Sequence, residues 1–374
     1  MSKKVIVTGV LGQDGANMVE FLLKQSQKYK IYGMMRRTAN PNFINVESFK
    51  DHPDFEFVCG DLADEVSLNN LVKDIQPDYL INFAANSFVG VSWDMPIQVF
   101  DTNALGVIRC LEAIRKFKPD CKFYSAGSSE EFGDVDFCPQ TMAHPVKPRS
   151  PYGASKAAAR HIIKVYRESY GLYAVHGILF NHEGTKRGEE FVTRKISKGV
   201  AKIYNQIYNV NNSRYGHQYK YETIELGNVY SKRDWSDSED FVEGVWLMLN
   251  QVNPKDYILS SGETHTIKEF VTKAFNAAGI KGNWHEEQGV PQSARYIMQT
   301  HHTGAPPLVV VNPKFFRPAE VEVLMGDSSE VRQELGWEPK ISFDMLVEKM
   351  VKYDIEKDRK HRFPASEILD PELM

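Results

Sequence analysis

A chain of 374 residues, 42% hydrophobic and 25% charged, is long enough for a large domain plus a smaller one. A formal net charge of −4 argues against a dedicated nucleic-acid binder, and no run approaches the ~20 consecutive apolar residues of a membrane span. The four cysteines, Cys59, Cys110, Cys121 and Cys138, make no C-x-x-C pair, and no secretory signal is evident, so reduced thiols in a cytoplasmic protein are expected.

In chain order, residues 5–7 form a short apolar run ending in glycines, a buried parallel strand. Residues 18–23 carry apolar side chains at helical spacing. Strands follow at 31–35 and 55–58, and a helix at 67–75 with Leu68, Leu71, Val72 and Ile75 on one face. Residues 79–84 read as a fourth strand, 102–117 as a long helix, 122–126 as a fifth strand, 151–170 as a helix and 173–180 as a sixth strand. This alternation predicts an α/β fold, a Rossmann-type doubly wound parallel sheet. After about residue 183 the rhythm changes. Residues 1–182 are expected to be the dinucleotide-binding domain, and 183–374 mainly a smaller, mixed α/β substrate-binding lobe. Segments within about 223–260 are expected to return to the first domain, with 223–227 and 257–260 extending its sheet. Residues 205–221 and 286–308 read as irregular insertions, and a last helix at 343–353 precedes a charged tail.

Gly9, Gly12 and Gly15 lie where the first strand turns into the first helix, with Gln13 and Asp14 between them. Glycines let the backbone turn sharply against a pyrophosphate, and a helix N-terminus favours an anion. The second strand ends in Met35-Arg36-Arg37. An arginine here accommodates a ribose 2′-phosphate, so NADP is favoured over NAD. Asp61, beside Leu62 after the third strand, suits either the adenine amino group or a turn cap.

Ser150 and Pro151 start a helix that carries Tyr152 and Lys156, four apart and on one face. A phenol ordinarily titrates near ~10, and a nearby ammonium favours its phenolate, so Tyr152 can take a hydroxyl proton during hydride transfer. The fifth strand ends in Ala126-Gly127-Ser128-Ser129-Glu130-Glu131. Ser128 can bond the reacting oxygen. Glu130 places a carboxylate at the edge of the sheet where ligands bind, able to remove a proton alpha to a ketone. Glu131 is the competing carboxylate, expected to be structural. His301 and His302 are adjacent, and no ligand spacing supports a metal.

Together these motifs resemble the GDP-mannose 4,6-dehydratases, extended members of the short-chain dehydrogenase/reductase group. The likeness runs from the glycine turn to about residue 350, through Met34-Met-Arg-Arg37, Ser128-Ser-Glu130, residues 148–156, 177–183 and 191–195, Leu226-Gly-Asn228, residues 232–235 and residues 317–321. The resemblance implies Ser128, Tyr152 and Lys156 as the hydride-transfer triad and Glu130 as the general base. It places Phe83, Ala84, Ala85, Ser87, His182 and Arg187 near NADP. It places Ser87, Asn181, Val192, Lys195, Arg233, Arg317 and Glu320 on the side of a GDP-sugar, the arginines offering planar donor forks. The implied product is a 4-keto-6-deoxy sugar, from an enzyme acting as a dimer or tetramer in GDP-fucose-type nucleotide-sugar metabolism. The sequence departs from the family at Ser128, where threonine is common, and at Asn86, Phe88 and Gln98. The loop after Arg37 lacks the usual serine pair. These departures leave a related GDP-heptose as an alternative substrate; the rival reading is an epimerase of the same fold, which would not need Glu130.

Overall fold

The computed structural model describes residues 2–208, 221–299, 305–316, 321 and 323–362. The chain runs β1 Lys3–Thr8, α1 Gln13–Leu23, β2 Tyr29–Met35, β3 Phe55–Cys59, α2 Glu65–Ile75, β4 Tyr79–Asn82, α3 Pro96–Phe100, α4 Gly106–Phe117, β5 Lys122–Ala126, α5 Pro151–Tyr170, β6 Ala174–Leu179 and β7 Asn181–Glu183. It continues through α6 Val192–Tyr208, β8 Ile224–Leu226, β9 Lys232–Arg233, β10 Trp235–Asp237, α7 Ser238–Leu249, β11 Tyr257–Leu259, β12 His265–Thr266 and α8 Ile267–Ala277. The last elements are β13 Gly282–Glu287, β14 Val290–Met298, β15 Val309–Val311, β16 Val323–Leu324, α9 Ser329–Leu335 and α10 Phe343–Arg362. These elements form two units: residues 1–186, 233–264 and 321–341, and residues 187–232, 265–320 and 342–374.

The first unit holds a seven-stranded sheet in the order β11-β6-β5-β4-β1-β2-β3, every pairing parallel. A parallel sheet is stable when both faces are covered, and its strands here are nearly continuous apolar runs. Val5 and Val7 of β1 join a core with Met18, Val19 and Leu22 of α1 and with Val245 and Met248 of α7. Ile6 points the other way, into a second core with Leu68, Val72, Val107, Leu111 and Ile163 from α2, α4 and α5. The strand order reverses between β1 and β4. The crevice beyond the carboxyl ends of strands at such a switch point is where open α/β sheets bind ligands.

The second unit holds a four-stranded sheet, β13-β14-β15-β8, whose β13–β14 pair is antiparallel and whose β15–β8 pair is parallel. Helices α6, α8 and α10 pack in the same unit. Arg194 Nη1 of α6 meets Asp354 Oδ2 of α10 at 2.8 Å, both side chains buried.

Several expectations need correction. The strand Ile224–Leu226 does not extend the large sheet; it pairs with Val309–Val311 in the second unit. Tyr257–Leu259 does join the large sheet, beside β6. The segment expected to be irregular from residue 286 contains all of β14, because Ala294 and Tyr296 alternate inward. Residues 205–208 close α6, whereas 209–220 and 300–304 lie outside the described residues. The last helix does not stop at residue 353; it continues to Arg362 through the charged stretch. Among the described residues no helix is long and apolar enough to cross a membrane, and no cluster of three or more His, Cys, Asp or Glu could hold a metal ion.

Candidate active site

The carboxyl edge of the large sheet brings the glycine turn, the loop after β4 and the end of β5 together. Thr8 Oγ1 donates to Asn82 Oδ1 at 2.6 Å and accepts from the Ala84 amide at 3.0 Å, tying the turn after β1 to Phe83, Ala84 and Ala85. Gly9 has φ +66°, and a Cβ there would stand 2.8 Å from the Ala84 amide nitrogen, so glycine is required. Gly12 is the N-cap of α1, and among the described residues no side chain caps that helix. Its first-turn amides can therefore serve an anion, as a pyrophosphate requires. The residues present fit a dinucleotide at this turn.

Gln13 and Asp14 serve the strand β7. Gln13 Nε2 donates to the His182 carbonyl at 3.0 Å, and Asp14 Oδ2 faces His182 Nε2 at 3.0 Å. His182 Nδ1 faces the Phe180 carbonyl at 2.8 Å, and the ring stacks on Phe241 at 4.8 Å. Gly15 is buried at the start of α1. Arg36 and Arg37 are exposed immediately past the end of β2. Asp61 acts as a turn cap, its Oδ1 accepting from the Ala63 amide at 3.0 Å. Leu62 is buried, and its carbonyl accepts from Arg109. Ser87 is exposed in the loop after β4.

Helix α5 starts where its caps predict. The Ser150 side chain accepts from the Gly153 amide at 3.0 Å, Pro151 occupies the first turn, and Gly171 ends the helix in the left-handed conformation. Tyr152 and Lys156 are both buried, with Lys156 Nζ 5.9 Å from the centre of the Tyr152 ring. Lys156 Nζ donates to the Ala126 carbonyl at 2.7 Å. Burial pushes its pKa down to about 8, against the opposing pull of the Glu131 and Asp14 carboxylates. Ser128 is extended, and its Oγ accepts from the Glu130 amide at 3.2 Å. Glu130 is half-buried. Glu131 is fully buried, accepts from the Ser128 amide at 2.8 Å and faces His176 Nε2 at 2.9 Å.

The remaining expected residues are divided between the units. In the first, Asn181 lies on β7 with its Oδ1 buried and without a hydrogen-bond partner among the described residues, and Arg233 is buried on β9. In the second, Arg187 stacks over Phe191 at 3.4 Å and Val192 opens α6. Lys195 lies 4.0 Å over the Phe315 ring, and burial pushes its pKa down. Arg317 and Glu320 lie outside the described residues.

Residues 6–350 match the family model described as GDP-mannose 4,6 dehydratase. The chain belongs to that family. It is 39% identical over 371 residues to a GDP-mannose 4,6 dehydratase of Drosophila melanogaster, covering 96% of this chain and 88% of that protein. It is 38% identical over 371 residues to a GDP-mannose 4,6-dehydratase of Yersinia enterocolitica, covering 96% and 95% respectively. Among solved structures, dTDP-glucose 4,6-dehydratase from Bacillus anthracis in complex with NAD superposes with a TM-score of 0.73 at 23% identity, covering 96% of this chain and 98% of that one. At that identity the likeness is one of fold.

Within this dehydratase-family framework, two sets of residues escaped the sequence reading. Asn103 sits in a single π-turn, Asp101–Leu105, and holds both the amide and the carbonyl of Asn86 while donating to Ser155 Oγ at 3.1 Å. Ser155 in turn donates to the Tyr152 carbonyl at 2.7 Å. The available signal was an asparagine in line with the apolar face of an amphipathic helix. The second is His176 as the partner of Glu131, the carboxylate already expected to be structural; the two lie 45 residues apart, so no local signal joins them.

Proposed function

We propose that the chain converts GDP-mannose to GDP-4-keto-6-deoxymannose and water, acting as a hydro-lyase with NADP as a resident cofactor. The observation that carries this is the disposition of the two adjacent carboxylates. Glu131 is sequestered, whereas Glu130 is half-buried at the same edge that holds Ser128, Tyr152 and Lys156. A simple alcohol dehydrogenase has no need of that second group. The family match over residues 6–350 supports the same reading.

The glycine turn, Asp61, Leu62 and residues 83–85 would hold the dinucleotide, with His182 and Arg187 beside it. Arg36, past the end of β2, would take the 2′-phosphate. When bound, NADP supplies the acceptor for the hydride from sugar C4 and the donor that returns it to C6. Tyr152 takes the C4 hydroxyl proton, its phenolate favoured by the Lys156 ammonium. Ser128 Oγ bonds the reacting oxygen and orients it. The C4 ketone acidifies the C5 proton, which Glu130 removes; Glu130 then delivers a proton to the departing C6 hydroxyl, which leaves as water, and the proton that Tyr152 took from the C4 hydroxyl is returned to C5, resetting the phenolate. Ser87, Asn181, Val192, Lys195, Arg233, Arg317 and Glu320 are proposed for the nucleotide-sugar, and the second unit as the substrate-binding lobe.

Incubation with a panel of GDP-sugars, with products identified by mass and sugar NMR, tests this. GDP-mannose should lose one water and gain a C4 ketone and a C6 methyl group. A 4-keto-6-deoxy product only from a GDP-heptose would transfer the same chemistry to that sugar. An epimerised hexose would overturn the dehydratase reading. Arg36→Ala should weaken NADP binding by more than tenfold while leaving NAD binding nearly unchanged, measured by calorimetry.

A further inference from the structure

Glu131 and His176 take no part in the steps above, yet they sit directly behind the residues that do. Both side chains are 0% exposed. Residues 126–128 are gripped from two directions: Lys156 Nζ donates to the Ala126 carbonyl at 2.7 Å, and the Ser128 amide donates to Glu131 Oε1 at 2.8 Å. Gly127 permits this. A Cβ there would stand 2.3 Å from His176 Nε2 and 2.7 Å from Glu131 Oε1. Apolar side chains would fill the site at lower cost than a desolvated carboxylate, so the charge itself calls for a reason.

Glu131 Oε2, His176 Nδ1 and the Tyr124 hydroxyl are buried without hydrogen-bond partners among the described residues. An imidazolium would strand a buried Nδ1–H donor in addition to a charge. The arrangement therefore suits a carboxylate and a neutral imidazole that donates from Nε2, a pair with one net negative charge.

We propose that Glu131, oriented by His176, is a positioning residue: its oxygen fixes the Ser128 backbone, and its charge holds Lys156 as the ammonium that Tyr152 requires. This rests on the hydride-transfer reading of Tyr152 and Lys156. The electrostatics run in the same direction. Burial lowers the Lys156 pKa to about 8, and the Glu131 and Asp14 carboxylates oppose it. Burial raises the Glu131 pKa, while the hydrogen bonds from the Ser128 amide and His176 Nε2, with Arg160 nearby, favour the carboxylate. Arg160 faces Glu131 from α5 and Tyr124 from β5, while Asp14 faces Lys156 from α1. None of these three changes in the variants below.

Protein labelled with 15N-lysine gives a readout independent of turnover, the Lys156 Nζ signal being the one missing from Lys156→Met. Glu131→Gln keeps an acceptor for the Ser128 amide and removes only the charge. Its Lys156 titration midpoint should fall by about one unit, and the alkaline limb of kcat should move with it. His176→Asn removes the Nε2 donor and favours a protonated Glu131, so it should shift the midpoint the same way. The double variant should shift it no further than Glu131→Gln alone. If Glu131→Gln does not fold, His176→Asn carries the test. An unmoved Lys156 midpoint in the folded variants, with Lys156→Met inactive, overturns the role of the pair alone. Turnover that survives Lys156→Met overturns the hydride-transfer reading, and the pair's role with it.

Discussion

Glu130 and Glu131 share a side chain and a loop but not an environment. The short 3-10 turn at Ser129–Glu131 points the second inward, to a buried imidazole and a backbone amide, and leaves the first half-buried. Glu130→Gln should therefore keep the fold and slow dehydration by ~10²-fold or more, the scale of a lost general base, measured as single-turnover loss of water from GDP-mannose. Turnover close to that of the unaltered enzyme would remove Glu130 from the reaction. Lys156 sets the pH dependence. Its pKa is lowered from 10.5 to about 8, so a rate that needs the ammonium should decline above about pH 8 in a pH–rate profile. The stability linkage has the opposite sense to the rate. The unfolded chain binds more protons than the folded one between about 8 and 10.5, so this group's contribution to stability rises with pH through that window.

At the scale of elements, the π-turn Asp101–Leu105 ahead of α4 is where the loop after β4 is tied to α5. Such turns are often found at functional sites, and Asn103 shows a reason: one side chain satisfies both backbone groups of Asn86 and reaches Ser155. Asn103→Ala would leave those part-buried groups without their partner, at about 1 kcal/mol, the low end of the cost of an unmade bond. It should loosen the loop holding Ser87 and raise the KM for the sugar nucleotide more than it lowers kcat. In the second unit, α6 and α10 are joined by Arg194 and Asp354 at 2.8 Å, with Ser197 Oγ donating to the same Asp354 oxygen at 2.7 Å. Asp354→Asn removes the partner of a buried guanidinium and should cost about 3–5 kcal/mol in urea denaturation, far more than any exposed pair on the same helices.

At the scale of the whole molecule, the chain passes from one unit to the other and back twice before ending in the second. The first unit is therefore incomplete in any N-terminal piece. Its sheet needs β11, and α7 covers α1: Asn17 Nδ2 donates to Ser238 Oγ at 2.9 Å, Lys122 Nζ to the Leu249 carbonyl at 2.9 Å, and Arg167 grips Asp256 with two bonds at 2.7 and 3.0 Å. A fragment of residues 1–186 should show no cooperative thermal transition by circular dichroism, although it contains every proposed catalytic side chain.

Local patterns were enough for much of this. Apolar runs identified β1 to β6, and Ser150 and Pro151 marked the start of α5. Spacing alone put Tyr152 and Lys156 on one face of α5, and three glycines marked the turn after β1. These features are written in neighbouring residues because backbone geometry repeats every two or 3.6 residues. Ile224–Leu226 failed for the complementary reason: three alternating residues state a strand but not its partner, and a parallel partner is always distant in sequence. The charged stretch of α10 likewise gave no sign that Asp354 would be buried against Arg194. The two glutamates make the division plainest. Their presence at the end of β5 was determined by the sequence. Which one is sequestered was decided only when β6 brought His176 beside the second, because burial and pairing belong to residues far apart in the chain.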